Sequence, residues 1–257
     1  MILREIIKIF EELAPLRLSE SWDNSGLLTG RPESDVSSIF ITLDVTSESI
    51  RSAAENGCGL IVSHHPLLFS AIKKIVYDDF TGSRIIDLIE NKISCYAMHT
   101  CFDAAVMADL CDEILSLEKE RPLEISSDDG YGIGSIGHFD HDIDLKSLAA
   151  LVKKRFDLPC VRMYGDADRI IKKAAMCPGS GKSLAGFAAD ENCDVYITGD
   201  VDHHFALDCL EKGMAVIDAG HHGLEHVFVD YMYEALGEKL PGIRLVKDKN
   251  KSPFEVI

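Results

Sequence analysis

Apolar residues in this chain fall into short unbroken runs, separated by stretches in which they recur every three or four positions. Ile39-Phe40-Ile41-Thr42-Leu43, Leu60-Ile61-Val62, Cys95-Tyr96-Ala97-Met98, Val195-Tyr196-Ile197 and Val216-Ile217 are such runs. Such apolar runs read as strands. Lys172 to Met176 and Ile243-Arg244-Leu245-Val246 fit the same description. The segment from Arg4 to Leu13 instead places Ile6, Ile7, Phe10 and Leu13 on one helical face. Helices are also predicted from Ser47 to Asn56, Ala104 to Leu115, Leu145 to Phe156, Lys182 to Asn192, Phe205 to Lys212 and Leu224 to Leu236. This alternation predicts an α/β fold, a sheet with covering helices.

The charged, turn-rich stretch Glu118 to Gly130, with Asp128-Asp129-Gly130, is the best boundary in the pattern. It predicts a first α/β domain over 1–125 and a second over 126–257. The C-terminal part, about 215–257, is expected to return to the first domain. There is no strong internal repeat and no low-complexity segment.

At 257 residues the chain suits one large or two small domains. No apolar run approaches the roughly 18 residues of a membrane span. The opening Met1-Ile2-Leu3-Arg4-Glu5 lacks the basic-then-apolar pattern of a secretory signal, so a cytoplasmic protein is expected. The net charge of -17 disfavours nucleic acid, which binds clustered Lys and Arg, and it raises the local concentration of cations. The 8 cysteines form no C-x-x-C pair. They read as small buried apolar residues rather than a zinc ribbon or redox motif.

Candidate chemistry gathers where apolar runs end. Ser63-His64-His65-Pro66, His99-Thr100-Cys101-Phe102-Asp103 and His221-His222-Gly223-Leu224-Glu225 each follow one. Ligands of open α/β sheets bind beyond the carboxyl ends of the strands. Adjacent histidines on a straight strand point to opposite sides. At a strand end His64 and His65 can serve two ions about 3.5–4 Å apart, the spacing of two-metal hydrolytic sites. His99 and Asp103 are spaced i,i+4, as are His221 and Glu225, which puts each pair on one face of a helix. His222 and His226 share that spacing, so geometry does not choose between the two C-terminal pairs. A carboxylate can bridge two cations and monodentate imidazole cannot, which makes Asp103 and Glu225 the natural bridges. Imidazole and carboxylate suit iron, zinc, manganese or nickel.

Other features carry less. Met176-Cys177-Pro178-Gly179-Ser180-Gly181-Lys182-Ser183 ends like a phosphate-binding loop, but Met176 stands where that motif requires glycine. After the Val195-Tyr196-Ile197 run, Asp200 and His204 either orient ligands or cap the next helix. Trp22 either lines a cleft or is a half-buried core aromatic. His138 and His141 read as surface loop residues.

Together these residues resemble the NIF-three-like family, whose members are also called GTP cyclohydrolase I type 2 homologues. The resemblance runs nearly end to end. It rests on Trp22-Asp23-Asn24-Ser25-Gly26-Leu27, Leu43-Asp44-Val45-Thr46, Ser63-His64-His65-Pro66-Leu67, Gly132-Ile133-Gly134 with Ile136-Gly137, Gly179-Ser180-Gly181, Thr198-Gly199-Asp200 and Gly220-His221 with Glu225. It implies metal ligands at His64, His65, Asp103, His221 and Glu225, with His99 and His204 close by. It also implies two similar α/β domains with the metal site in the cleft between them and with His221 and Glu225 supplied by the returning C-terminal part. A ring-shaped homohexamer holding two divalent ions per chain is implied as well. Two positions depart from the family pattern: Cys101 replaces an asparagine and His222 a tyrosine.

The expected activity is that of a dinuclear metal-dependent hydrolase acting through activated water, with a nucleotide or purine-like small molecule as substrate. His99, His204 and Asp200 are the candidate catalytic residues. A metal-delivery protein and an interaction scaffold with structural metals are the alternatives.

Overall fold

In a computed structural model, described over residues 1–249 and 251–257, the chain forms a mixed α/β fold that divides into two compact units. The first comprises Met1–Phe102 and His226–Lys251. Its strands β1 (Gly26–Thr29), β2 (Ser38–Thr42), β3 (Leu60–Ser63) and β4 (Ser94–Ala97) join the C-terminal strand Arg244–Lys247 in one sheet. The order is β1, β4, β3, β2, then the C-terminal strand. All neighbours are parallel except β1, which runs against β4. Every residue of β2, β3 and β4 is buried, as their continuous apolar runs require. Phe40, Ile61 and Cys95 pack with Ile50, Ala53 and Leu88 from the helices Ser47–Glu55 and Phe80–Glu90. Burying each large side chain of this kind contributes about 1.5–3 kcal/mol. Thr46 and Asp79 start those two helices by accepting from the amides of Ser49 and Gly82.

Register decides where the functional residues arrive. Thr42 pairs with Ser63 and Ser63 with Ala97, so β2, β3 and β4 end level with one another. Asp44, His64, His65 and His99 therefore leave the sheet at one edge. Because β1 is antiparallel and begins with Gly26 opposite Ala97, the preceding segment Trp22–Ser25 comes to the same edge.

The second unit comprises Asp103–Glu225 and Ser252–Ile257. Six of its strands form one sheet: β5 (Glu118–Arg121), β8 (Ser135–Asp144), β9 (Arg162–Tyr164), β10 (Ile170–Met176), β11 (Val195–Thr198) and β12 (Ala215–Asp218). The spatial order is β5, β8, β10, β11, β12, β9, with only β10, β11 and β12 mutually parallel. Two short strands, β6 (Glu124–Ile125) and β7 (Gly132–Ile133), pair separately. Here too register aligns the carboxyl ends: Met176 lies beside Ile197, and Thr198 beside Asp218. Cys177–Gly181, Gly199-Asp200 and Ala219–Glu225 follow those ends.

The boundary differs from the expectation at 125/126. Glu118–Gly130 lies inside the second unit, where Glu118 to Arg121 pairs with β8 as a charged edge strand. The chain changes unit after Phe102 instead. The returning segment is also shorter than 215–257. Hydrogen bonds to β11 and β9 hold β12 in the second sheet, and His221 and Glu225 stay with it, so the return begins at His226. The helix predicted over 224–236 accordingly divides into His221–Glu225 and Val227–Lys239. His138 and His141 lie on β8 rather than in a loop, beside Glu120 and Asp140. Among the described residues no two cysteines form a disulfide, and each cysteine is buried except Cys160, which is half-buried. Among the described residues no helix is long and apolar enough to cross a membrane.

Candidate metal ligands

In the first unit His64 and His65 follow directly on β3. Their divergence on a straight strand does not apply, since the strand stops at Ser63 and the two rings turn to lie 4.9 Å apart. His99 joins them, with its ring 5.3 Å from that of His64 and 5.7 Å from that of His65. Each of the three offers a ring nitrogen, and these nitrogens lie within 4.8 Å of one another.

What orients the rings is more telling than their proximity. His64 Nδ1 is 2.9 Å from the Met98 carbonyl oxygen, which can only accept. His65 Nδ1 is 2.8 Å from Asp44 Oδ1, and His99 Nδ1 is 2.8 Å from Asp23 Oδ1. In each ring Nδ1 therefore donates, and Nε2 is the atom left to present to a ligand. Histidines that bind metal are set up in this way by a carboxylate or carbonyl behind them.

The Asp23 carboxylate has no exposed side-chain surface. Besides His99 it accepts from the Thr100 amide at 3.1 Å, the Thr100 hydroxyl at 2.6 Å and the Ser25 hydroxyl at 2.7 Å. Burial pushes its pKa up, but the hydrogen bonds from His99, Thr100 and Ser25 outweigh burial and hold it far below the usual carboxylate range. It is thus a fixed negative charge behind His99.

The second unit carries a matching arrangement. His221 opens the short helix His221–Glu225, and its i,i+4 partner Glu225 is 3% exposed. His221 Nε2 lies 3.0 Å from Glu225 Oε2, while its Nδ1 is 2.8 Å from Asp200 Oδ2. Asp103 is half-buried and begins a π-helical turn, Asp103–Met107, which leads into the α-helix Ala108–Leu115. Such turns are frequent at functional sites. Oxygens of Asp103 and Glu225 lie within 4.8 Å of one another. Gly179 explains the glycine-rich turn after β10. Its φ is +70°, and a Cβ there would stand 2.2 Å from Glu225 Oε1 and 3.5 Å from His221 Nε2. Gly199 has no room for a side chain either, since a Cβ would meet the His221 amide nitrogen at 2.4 Å.

Asp200 orients His221, whereas the cap of the next helix is Asp202, which accepts from the Phe205 amide. His204 is exposed on the first turn of that helix with its ring against His203. Among the described residues it joins no cluster of three ligand-type side chains. Cys101 is fully buried, with its sulfur 3.7 Å from the Ser25 hydroxyl. Trp22 is neither core nor half-buried but 57% exposed. Asp23 and Asp44 have no role legible in the sequence, although both lie in motifs that carry the family resemblance. A carboxylate soon after a strand end, or just before one that begins there, was the available signal.

These groups could hold a metal ion: imidazoles oriented from behind by carbonyl or carboxylate, and a buried carboxylate against glycine. The comparisons with known proteins agree in family. The model of the Duf34/NIF3 (NGG1p interacting factor 3) family matches residues 1–253. A protein of Clostridium perfringens named GTP cyclohydrolase 1 type 2 homolog is 36% identical, over 100% of both chains. Its namesake in Campylobacter jejuni is 31% identical over 99% of both. Among solved structures, reduced HcgD from Methanocaldococcus jannaschii superposes with a TM-score of 0.83 at 28% identity, covering 96% of this chain and 97% of that one. A Bacillus cereus protein related to NIF3 reaches a TM-score of 0.90 at 22% identity, covering 100% and 99%. The motifs and the match along almost the whole length place this chain in the DUF34/NIF3 family.

Proposed function

We propose that the protein binds two divalent metal ions per chain through His64, His65, Asp103, His221 and Glu225, and that it is a metal-dependent hydrolase of a small, purine-like molecule. One observation carries the reading. All four imidazoles of His64, His65, His99 and His221 have Nδ1 tied to a carboxylate or carbonyl, which orients each ring so that Nε2 is the atom presented to an ion. Exposed His138 and His141 also meet carboxylates through Nδ1, but among the described residues neither joins a cluster of ligand-type side chains, whereas these four do. Divalent ions supply the Lewis acidity that makes water a nucleophile near neutral pH.

The chain's own contribution is placement and charge. Asp44, Asp23 and Asp200 hold three rings from behind, and Asp23 does so as a permanently ionised group. The Glu225 carboxylate is kept from water and its position is defined by Gly179. His99 stands among the imidazoles as the candidate for handling a substrate proton. The name of the Clostridium and Campylobacter relatives, GTP cyclohydrolase 1 type 2 homolog, favours a purine nucleotide as substrate.

Metal delivery is the competing reading. The partial exposure of His65 and His221, 22% and 35% of their side chains, favours it by leaving a bound ion open to exchange. The deciding experiment is elemental analysis of protein purified without added metal, followed by a turnover screen of purine nucleotides. Two equivalents of tightly held metal with turnover support the hydrolase. Metal that passes within minutes to a chelator, with no turnover, supports delivery, and a protein that binds no divalent metal refutes both.

A further inference from the structure

The three consecutive residues Trp22-Asp23-Asn24 each do something different. Asp23 anchors the segment by its buried bonds to His99, Thr100 and Ser25. Asn24 donates from Nδ2 to the Leu68 carbonyl, tying this segment to the one that carries Phe69. Trp22, pinned from the next residue, is left 57% exposed, and Phe69 is 58% exposed. Two large aromatic side chains are thus held in water, on segments fixed to each other, at the edge where the histidines lie.

The two rings meet without stacking on each other. The Trp22 and Phe69 rings have centroids 5.9 Å apart and are tilted by 55°, so neither covers the other's face. Both meet the His99 ring nearly edge-on, Trp22 at 6.0 Å and 76°, Phe69 at 6.3 Å and 73°. Aromatic rings attract one another at centroid distances of about 4.5–7 Å in offset-stacked or edge-on arrangements. A third flat ring is the occupant that two exposed, unstacked aromatic side chains beside an imidazole would favour.

We propose that Trp22 and Phe69 form a subsite for the planar heteroaromatic ring of a small-molecule ligand, positioning it over His99. This deepens the reading given above, since it rests on the histidine cluster being where a bound molecule reacts.

Trp22 is the chain's only tryptophan, so intrinsic emission reports on this subsite directly. The metal-loaded protein is titrated with guanosine, cytidine and nicotinamide, and with ribose as the sugar that lacks an aromatic ring. A saturable change in Trp22 emission with at least one of the flat rings, and none with ribose, is the expected result. Phe69→Ala is expected to weaken that ligand about three- to tenfold, the worth of one aromatic contact. Because Phe69 is largely exposed, the variant should keep its fold and its metal content. The proposal is overturned if none of the three rings gives a saturable change, or if Phe69→Ala binds as tightly as the parent. It is also overturned if emission responds to protein concentration alone, which would make the pair a contact between copies. Elemental analysis of the same samples separates the two readings. Ring binding by protein that holds no metal sinks the metal reading and leaves the subsite, whereas two metal equivalents without ring binding do the reverse.

Discussion

Asp112 gives this fold a pH dependence that can be measured without knowing a substrate. It lies in the helix Ala108–Leu115 and is 3% exposed. Oδ1 accepts from the Ser135 hydroxyl at 2.7 Å, and no described group hydrogen-bonds Oδ2. Burial raises its pKa from 3.8 to about 7; the Ser135 hydroxyl and Lys119 pull it down only in part, and Asp109 adds to the rise. The folded state therefore keeps a proton that the unfolded chain has already released above pH 4. Wherever the folded state binds more protons, stability falls as pH rises. The loss begins near pH 4, accumulates up to about pH 7 and then levels off. At about 1.4 kcal/mol per pKa unit, the full effect is on the order of 4 kcal/mol, a large share of a typical domain's 5–15 kcal/mol. Asp112→Asn removes the titration and keeps an acceptor for Ser135. It also puts an amide nitrogen where Oδ2 has no partner, at a cost of about 1–3 kcal/mol at every pH. The variant should be the less stable protein at pH 4 and as stable or more stable at pH 8.5, so the two curves cross. Urea denaturation followed by circular dichroism, at one protein concentration across that range, measures the difference. Titrating histidines act equally in both proteins and cancel from it. Two parallel curves, separated by a constant gap, would refute the argument.

What the sequence made legible follows from how each strand is buried. β2, β3, β4, β11 and β12 are covered on both faces, so nearly every residue is apolar and the runs stand out. β8 is half-exposed, and its Ser-Ile-Gly-His-Phe-Asp-His-Asp-Ile-Asp looks like loop. β5 is an edge strand spelled Glu-Lys-Glu-Arg, with the charges that keep edges from pairing, and in sequence it reads as a domain boundary. The same contrast runs through the candidate ligands. His64, His65, His99, His221 and Glu225 were visible because each sits just beyond an apolar run. Their carboxylate partners were hidden, because pairing is a tertiary fact: Asp23 is 76 positions from His99, and Asp44 is 21 from His65. Asp200 could have been a cap or an orienting group until Asp202 was seen to occupy the cap.

The remaining expectations concern assembly and the ligands themselves. Light scattering at micromolar concentration should report a closed homo-oligomer, a hexamer by family resemblance, and monomer alone would refute that. Cys101→Ser should keep its metal content, since the thiol is buried against the Ser25 hydroxyl; loss of about one equivalent would make Cys101 a ligand. Gly179→Ala should keep the fold yet lose metal, because the group its Cβ meets is the movable Glu225 carboxylate rather than backbone, and retained metal would show that Glu225 does not need its present position. The sharpest test sets ligands against lookalikes at the same spacing. His64→Ala, His65→Ala or His221→Ala should lower occupancy mainly at one of two ions, because monodentate imidazole holds one. Glu225→Ala and Asp103→Ala remove groups able to bridge, leaving two dications less screened from each other where the dielectric is low and repulsion strong. Each should cost more than one metal equivalent per chain after desalting, with circular dichroism confirming the fold. His222→Ala and His226→Ala repeat the i,i+4 spacing of His221 and Glu225 without a glycine-backed carboxylate between them, and should lose little. If His222 and His226 prove necessary while His221 and Glu225 are dispensable, spacing and resemblance have selected the wrong pair, and the ligand assignment falls with them.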